Sequence, residues 1–306
     1  MIADGVLPRA RGRSASRGGI RSGRLAWLYL SPALLIFLIF TIGPAVFVLY
    51  ISLFDWNLLN SSMSTFVGTK NYRNIASSHD FWHSIEISAY FVGAVVAGST
   101  IFGLGIALLL SSRGLVRRIV RLAVLTPYFT PLVATSIVWV WIFNPQFGLL
   151  DALLRMLHIQ QVGWLQSTTW AMPAVIVYSL WHDLGFTVII FLAGLSTVSG
   201  ELREAARVDG ARYWNEVRDV VLPQLTQTIV FVIVITTIDS LQAFTQIYTM
   251  TQGGPLSATT TTGFLLYEES FVFYKTGLGA AIAVVLFVVI ALFTLLQLRI
   301  SRSRTS

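Results

Sequence analysis

Six stretches of this chain are long and apolar enough to cross a lipid bilayer, and that fact limits the fold more than any other. A hydrocarbon core about 30 Å thick needs roughly 20 apolar residues in a helix. Charge-free runs of at least that length occupy Leu25–Phe54, Ile87–Ser112, Leu122–Leu150 and Thr276–Leu298. Trp170–Leu195 is interrupted only by His182 and Asp183, and Leu225–Met250 only by Asp239. A transmembrane barrel would alternate apolar and polar residues along each strand, whereas these runs are apolar throughout. The expectation is an all-α integral membrane protein with six transmembrane helices.

Lys and Arg set the orientation, because they concentrate in cytoplasmic segments. With a cytoplasmic N-terminus, 17 of the 21 basic residues fall inside: the arm Arg9–Arg24, Arg113–Arg121, Arg203–Arg218 and Arg299–Arg304. Lys70, Arg73, Arg155 and Lys275 fall outside. Both termini are then cytoplasmic, which requires an even number of spans. The net charge of +7 is accounted for by this rule and needs no nucleic acid partner. The Arg-rich start resembles a secretory signal, but its apolar run is too long and has no small-residue cleavage site. It reads as a retained first helix.

The chain divides into a basic, disordered arm at residues 1–24, a membrane domain at 25–298, and a short cytoplasmic tail at 299–306. Asp55–His83 and Asn144–Thr169 are expected as outside loops, the second with an amphipathic stretch at Leu149–Leu157. No internal repeat is visible. Small residues recur every four positions, as in Ala94/Gly98, Ser99/Gly103, Gly103/Ala107, Gly277/Ala281 and Gly279/Ala283. Such spacing lets helix backbones approach closely in lipid.

Several chemistries are excluded. The two lysines follow Thr69 and Tyr274 rather than Gly, so no phosphate-binding P-loop exists and the chain binds no ATP of its own. With no Cys there is neither a disulfide nor a thiolate metal site. His79 and His83 form an i,i+4 pair, which is too few ligands for a metal site. No catalytic group, metal or cofactor is expected.

Between the fourth and fifth spans, nine charged residues crowd into Glu201–Asp219. Leu202, Ala205, Ala206 and Val208 fit one short helix, Gly210 a turn, and Trp214, Val217, Val220 and Val221 a second, with Pro223 opening the next helix. An amphipathic helix on the membrane surface would show the same periodicity. It would not need both signs of charge, since anionic lipid attracts Arg and Lys alone.

Glu204-Ala205-Ala206, three residues, Gly210, nine residues, then Val220-x-Leu222-Pro223 resembles the EAA loop of ABC importer permeases. Val220 replaces the usual Ile. Ala243-Phe244-x-Gln246-Ile247-Tyr248-x-Met250-Thr251-x-Gly253-Gly254-Pro255, Thr259–Thr262, Tyr267 and Phe271 are similar to the carbohydrate group of that family. That group includes maltose-type sugar permeases and permeases for glycerol 3-phosphate and glycerophosphodiesters.

The resemblance implies a type I importer permease (MetI-like) fold with a cytoplasmic coupling helix, in a bacterial or archaeal plasma membrane. It implies a heterodimer with a second, related permease, two ATPase subunits that bind ATP and Mg, and an extracytoplasmic substrate-binding protein. Residues 198–223 would then form the coupling loop. Glu204, Ala205, Ala206, Asp209, Gly210, Leu222 and Pro223 would meet the ATPase or shape the loop.

Polar groups inside spans usually face a cavity or a partner. Asp239, Gln242 and Gln246 fall at i, i+3, i+7 and share a helix face. Tyr178, Trp181, His182 and Gly185 share another, with Asp183 beside them. These groups either line a solute pathway or join helices to one another. No Lys or Arg lies within a span, so the chain offers a phosphate monoester no strong site. A neutral sugar fits, as does a glycerophosphodiester carrying choline. A secondary carrier driven by an ion gradient is the alternative, but it would need a paired ion site and usually two repeated halves.

Overall fold

The computed structural model describes residues 19–59, 64–112 and 114–303. Arg9–Arg17, Arg113 and Arg304, used above for orientation, lie outside them. The described part of the chain is mostly helical, with one short strand pair. Four helices are long and apolar enough to cross a membrane, and six spans result when each of two sharply bent pairs is counted as one.

The chain divides into two units, residues 1–48 and 49–306. In the first, α1 (Gly19–Phe37) passes through a π-helical turn at Leu38–Ile42 into α2 (Gly43–Ile51), which crosses the boundary. Helix therefore covers the last six residues of the expected arm. The Gly43 N–H bonds the Leu38 carbonyl five residues back, immediately before Pro44. A proline has no N–H and clashes with the carbonyl four residues before it. A widened turn accommodates both defects without ending the helix.

The second unit opens with β1 (Phe54–Asp55) and β2 (Thr65–Phe66), which pair antiparallel, and α3 (Lys70–Ser77). The expected outside loop therefore carries its own structure, and the apolar run ends as strand. The second span, α4 (His79–Leu110), starts inside that loop and is capped by the Ser78 hydroxyl, which accepts from the Phe81 N–H.

The third apolar run is not one helix. It forms α5 (Leu115–Leu125), a 3-10 turn at Thr126–Phe129, and α6 (Leu132–Ile142), with a bend of 102°. Pro127 and Pro131 cause the break. Pro127 begins the tight turn, and Pro131 drives Thr130 into extended backbone at ψ 147. Helix stops at Ile142, short of the end of the apolar run, and the amphipathic stretch expected at Leu149–Leu157 is α7 (Leu149–Met156). The fourth span, α8 (Ala171–Thr197), is continuous as expected.

Then follow α9 (Gly200–Val208), α10 (Tyr213–Glu216), a second π turn at Val217–Val221, and α11 (Leu222–Gln224). Here the Leu222 N–H bonds the Val217 carbonyl, directly before Pro223, so the same device recurs. Pro223 thus lies within a helical stretch rather than opening the next helix. The 69° bend comes at Leu225, before α12 (Thr226–Leu241). The fifth run is broken again: α12 stops at Leu241, and α13 (Thr245–Met250) restarts after Gln242–Phe244. After α14 (Thr262–Tyr267) and a π turn, α15 (Thr276–Ser303) is the last span and carries helix past the expected end at Leu298.

α4 packs along α8, and both pack on α12. The small residues of α4 set that approach. A Cβ on Gly98 would lie 2.7 Å from Leu180, and one on Gly103 would meet Thr187. Around them lie two buried clusters. One joins Phe91 and Val95 to Val175, Tyr178, Ile247 and Phe264. The other joins Ala107 and Phe191 to Val221, Leu225 and Val232. The second ties the residues just after the polar loop to the membrane helices.

Candidate functional site

The two helix breaks meet at one cavity of about 330 Å³. Tyr128 and Leu132 reach it from the break between α5 and α6. Asp183, Phe186 and Thr187 come from α8, Thr236 and Asp239 from α12, and Gln242–Gln246 from the break before α13. Irregular backbone at membrane depth is tolerated where it is covered by protein or lines a cavity. Tyr128 stacks on Phe186 at 5.1 Å, so the bend at Pro127–Pro131 places an aromatic wall over the cavity.

Asp183, Asp239, Gln242 and Gln246 are brought together here. Gln246 is only 9% exposed. Among the described residues no Lys or Arg lines the cavity. Tyr128, Phe186, Thr187, Thr236 and Phe244 join the lining without having been singled out in the sequence. Tyr128 had a signal, in that it sits between two prolines.

The remaining intramembrane candidates lie elsewhere. His182 is buried, with Nδ1 2.8 Å from the Asp183 carboxylate and Nε2 3.4 Å from the Thr130 carbonyl. It orients Asp183 and does not line the cavity. Trp181 packs on Trp139 at 5.3 Å. Tyr178 is fully buried; its hydroxyl donates to the Leu132 carbonyl at 2.9 Å and accepts from Ser136 at 2.9 Å. Tyr178→Phe should therefore cost stability, about 1 kcal/mol. Thermal unfolding of the purified protein checks this, with the apparent KM for solute expected to be unchanged.

At the far end of α12 lies the polar segment. Ser199 caps α9 by accepting from the Leu202 N–H. Its own N–H donates to Gln224 Oε1 at 3.1 Å, closing the base of the loop. The spacing from Ala206 to Gly210 follows from how α9 ends. The Gly210 N–H bonds the Arg207 carbonyl, the Ala211 N–H bonds the Ala206 carbonyl at 2.9 Å, and Gly210 sits at φ +83. This is the Schellman ending, whose left-handed position favours glycine.

Glu204, Ala205 and Asp209 are exposed, as are Leu202, Val208 and Tyr213, and Trp214 is 73% exposed. The segment thus presents apolar side chains beside charge. Leu222 is half-buried and Pro223 exposed.

Glu216 was not singled out in the sequence. It is 2% exposed, and both carboxylate oxygens are taken. Arg203 Nε donates to Oε1 at 2.6 Å and Arg207 Nε to Oε2 at 2.7 Å, with Arg207 Nη2 3.2 Å from Oε1. These bonds, from Arg207 first, hold the carboxyl below its ordinary range against the opposing effect of burial. A depressed pKa gives stability that is present above the unfolded value, about 4.3, and lost as pH falls through the folded value. The clamp is therefore intact at neutral pH and opens only in acid.

Among the described residues no group of three or more His, Cys, Asp or Glu could hold a metal ion.

The family described as binding-protein-dependent transport system inner membrane component matches residues 99–306. The trehalose/maltose transport system permease protein MalF of Thermococcus litoralis is 32% identical over 287 residues, 93% of this chain and 96% of that protein. The sulfoquinovosyl glycerol transport system permease protein SmoG of Agrobacterium fabrum is 31% identical over 280 residues, 92% of this chain and 91% of its own. A solved bacterial alginate ABC transporter, in complex with its alginate pentasaccharide-bound periplasmic protein, contains a chain of similar fold. The TM-score is 0.82 at 22% identity, covering 94% of this chain and 97% of that one.

Proposed function

We propose, for a chain that belongs to the family of binding-protein-dependent transport system inner membrane components and is a non-catalytic permease subunit of an ABC importer, that it passes an uncharged sugar through the cavity between its two broken spans. The observation that carries this reading is the lining. Carboxylates and amides (Asp183, Asp239, Gln242, Gln246) accept and donate hydrogen bonds to hydroxyls, while Tyr128, Phe186 and Phe244 cover C–H faces. Two carboxylates with no cation beside them disfavour an anionic solute. The sugar named for the Thermococcus relative supports the same class. A glycerophosphodiester with a cationic head is the second reading, favoured by the same carboxylates.

The working cycle follows from the parts. A binding protein delivers solute from outside, and a second, related permease completes the pathway. Two ATPase subunits, which bind ATP and Mg, act on residues 198–223. Both termini lie on the ATPase side, as the Lys and Arg distribution supports. Glu204 meets basic groups of the ATPase, Ala205 and Ala206 allow close approach, and Asp209, Gly210, Leu222 and Pro223 shape the lever.

Asp239→Ala with Gln242→Ala in the complete importer tests the lining, with labelled trehalose and maltose as probes. Uptake should fall about tenfold or more at unchanged protein level, since a bond to a charged acceptor contributes about 1.5–3 kcal/mol. Unchanged uptake of an imported probe would remove the cavity from the pathway.

A further inference from the structure

Helix α9 buries none of its nine residues. Apolar packing therefore does not set its angle, and the turn that follows it is open: a Cβ on Gly210 would meet nothing within 4 Å. A helix attached in this way should swing about Gly210 when pushed. The Ser199 N–H bond to Gln224 Oε1 ties down the start of α9; what opposes a swing of the rest is a pair of arginines one turn apart, Arg203 and Arg207, which converge on the two oxygens of Glu216.

We propose that Glu216 is the positioning residue that locks α9 to the helix entering the membrane. A load on α9 then tilts α12 and the cavity residues it carries, instead of folding α9 back at its glycine. The inference rests on the reading that the ATPase acts on residues 198–223. Its reasoning is geometric. One ion pair between two helices is a pivot, whereas two from successive turns to a single carboxylate fix both distance and rotation. The carboxylate is the side that must not move, and it is 2% exposed. The arginines are the accessible side, 31% and 58% exposed. Hydrophobic side chains of similar volume could replace a buried pair without loss of stability, so the value of the arrangement lies in holding an angle. Behind Glu216, Val217 and Val221 are buried, and Val221 packs into the cluster that contains Phe191 and Val232. The load path therefore runs from α9 through Glu216 into the core shared by α4, α8 and α12. Glu204 approaches Arg207 from α9 itself but accepts none of these bonds.

The chain has no cysteine, so two can be introduced for spin labels, at Val208 on α9 and at the exposed Phe231 on α12, with any cysteines of the partner subunits replaced. The complete importer in lipid nanodiscs would be measured without nucleotide and with Mg-ATP plus vanadate. In the otherwise native chain the distance distribution should stay narrow in both states. In Glu216→Gln, with the ATPase still co-purifying, it should broaden about twofold or more on ATP, because the element moves without its lock. Arg207→Ala leaves Glu216 one partner and should broaden it less; this variant serves if Glu216→Gln fails to insert. A distribution as narrow as wild type in either variant overturns the lock. If Glu204→Lys leaves ATPase binding and ATP-driven movement intact while the Glu216 variants broaden, the lock stands and the docking role of Glu204 fails.

Discussion

Exchanging Glu204 for lysine should leave the chain inserted and the loop folded, yet reduce ATP-driven uptake about 100-fold or more. Like charges brought together across a contact cost several kcal/mol, and each 1.4 kcal/mol is about a factor of ten. Glu204 is exposed and makes none of the bonds of the Arg203–Glu216–Arg207 clamp, but it stands near Arg207, so Glu204→Gln, which adds no like charge beside that arginine, serves as the control. Gly210→Val should also lower uptake, by another route and by less, about 5- to 30-fold. There is open space at Gly210, so nothing clashes with a side chain; the obstacle is the backbone at φ +83. A left-handed conformation costs an L-residue about 1–2 kcal/mol, most for β-branched types and least for Asn or Asp. Gly210→Asn should therefore retain more uptake than Gly210→Val. Uptake by cells carrying the complete importer, with ATPase co-purification alongside, measures both. Wild-type uptake in Glu204→Lys would remove the ATPase contact, and equal losses in Asn and Val would remove the backbone argument.

The apolar runs are readable because hydropathy reports which residues can face lipid. Hydropathy does not report whether the backbone through them is continuous. Leu122–Leu150 contains no charge, but it bends by 102° where Pro127 and Pro131 interrupt its hydrogen bonds. Those prolines were the available signal. Pro223 misled in the opposite direction. A π turn just before it lets helix pass through the proline, and the bend falls two residues later. Asp239, Gln242 and Gln246 were grouped as one face of a continuous helix. The helix actually stops between the first two, and the cavity still collects all three.

Glu216 was hidden for a different reason. In sequence it is one of nine charges between Glu201 and Asp219, and nothing local marks it as buried. Only when the chain reverses at Gly210 do Arg203 and Arg207 come over it, and that pairing spans 13 and nine residues. By contrast, the glycine and the short helix before it were legible, because the Schellman ending is a local rule. Burial of charge depends on tertiary approach, which spacing along a chain does not encode.

Gly185→Ala should be among the most damaging single-methyl changes in the membrane domain. On α8, Gly185 passes the end of α5 so closely that a Cβ would lie 2.7 Å from the Val124 carbonyl oxygen and 3.1 Å from the Leu125 Cα. Both neighbours are backbone, so no side chain can rotate away and the two elements must separate. Overpacking of this kind costs about 1–3 kcal/mol, which corresponds to a fall of roughly 2–10 °C in thermal midpoint. Gly98 supplies the control. Its Cβ would also fall within 3 Å of a neighbour, but that neighbour is the end of the flexible Leu180 side chain, so Gly98→Ala should cost less than half as much. The damage at Gly185 should extend to transport, since the displaced segment carries Tyr128, whose ring stacks on Phe186 in the cavity wall. Thermal unfolding in detergent ranks the two variants, and uptake by the complete importer reads the cavity. If Gly98→Ala proved the worse of the two, close backbone contact between α8 and the broken third span would not be what holds that wall in place.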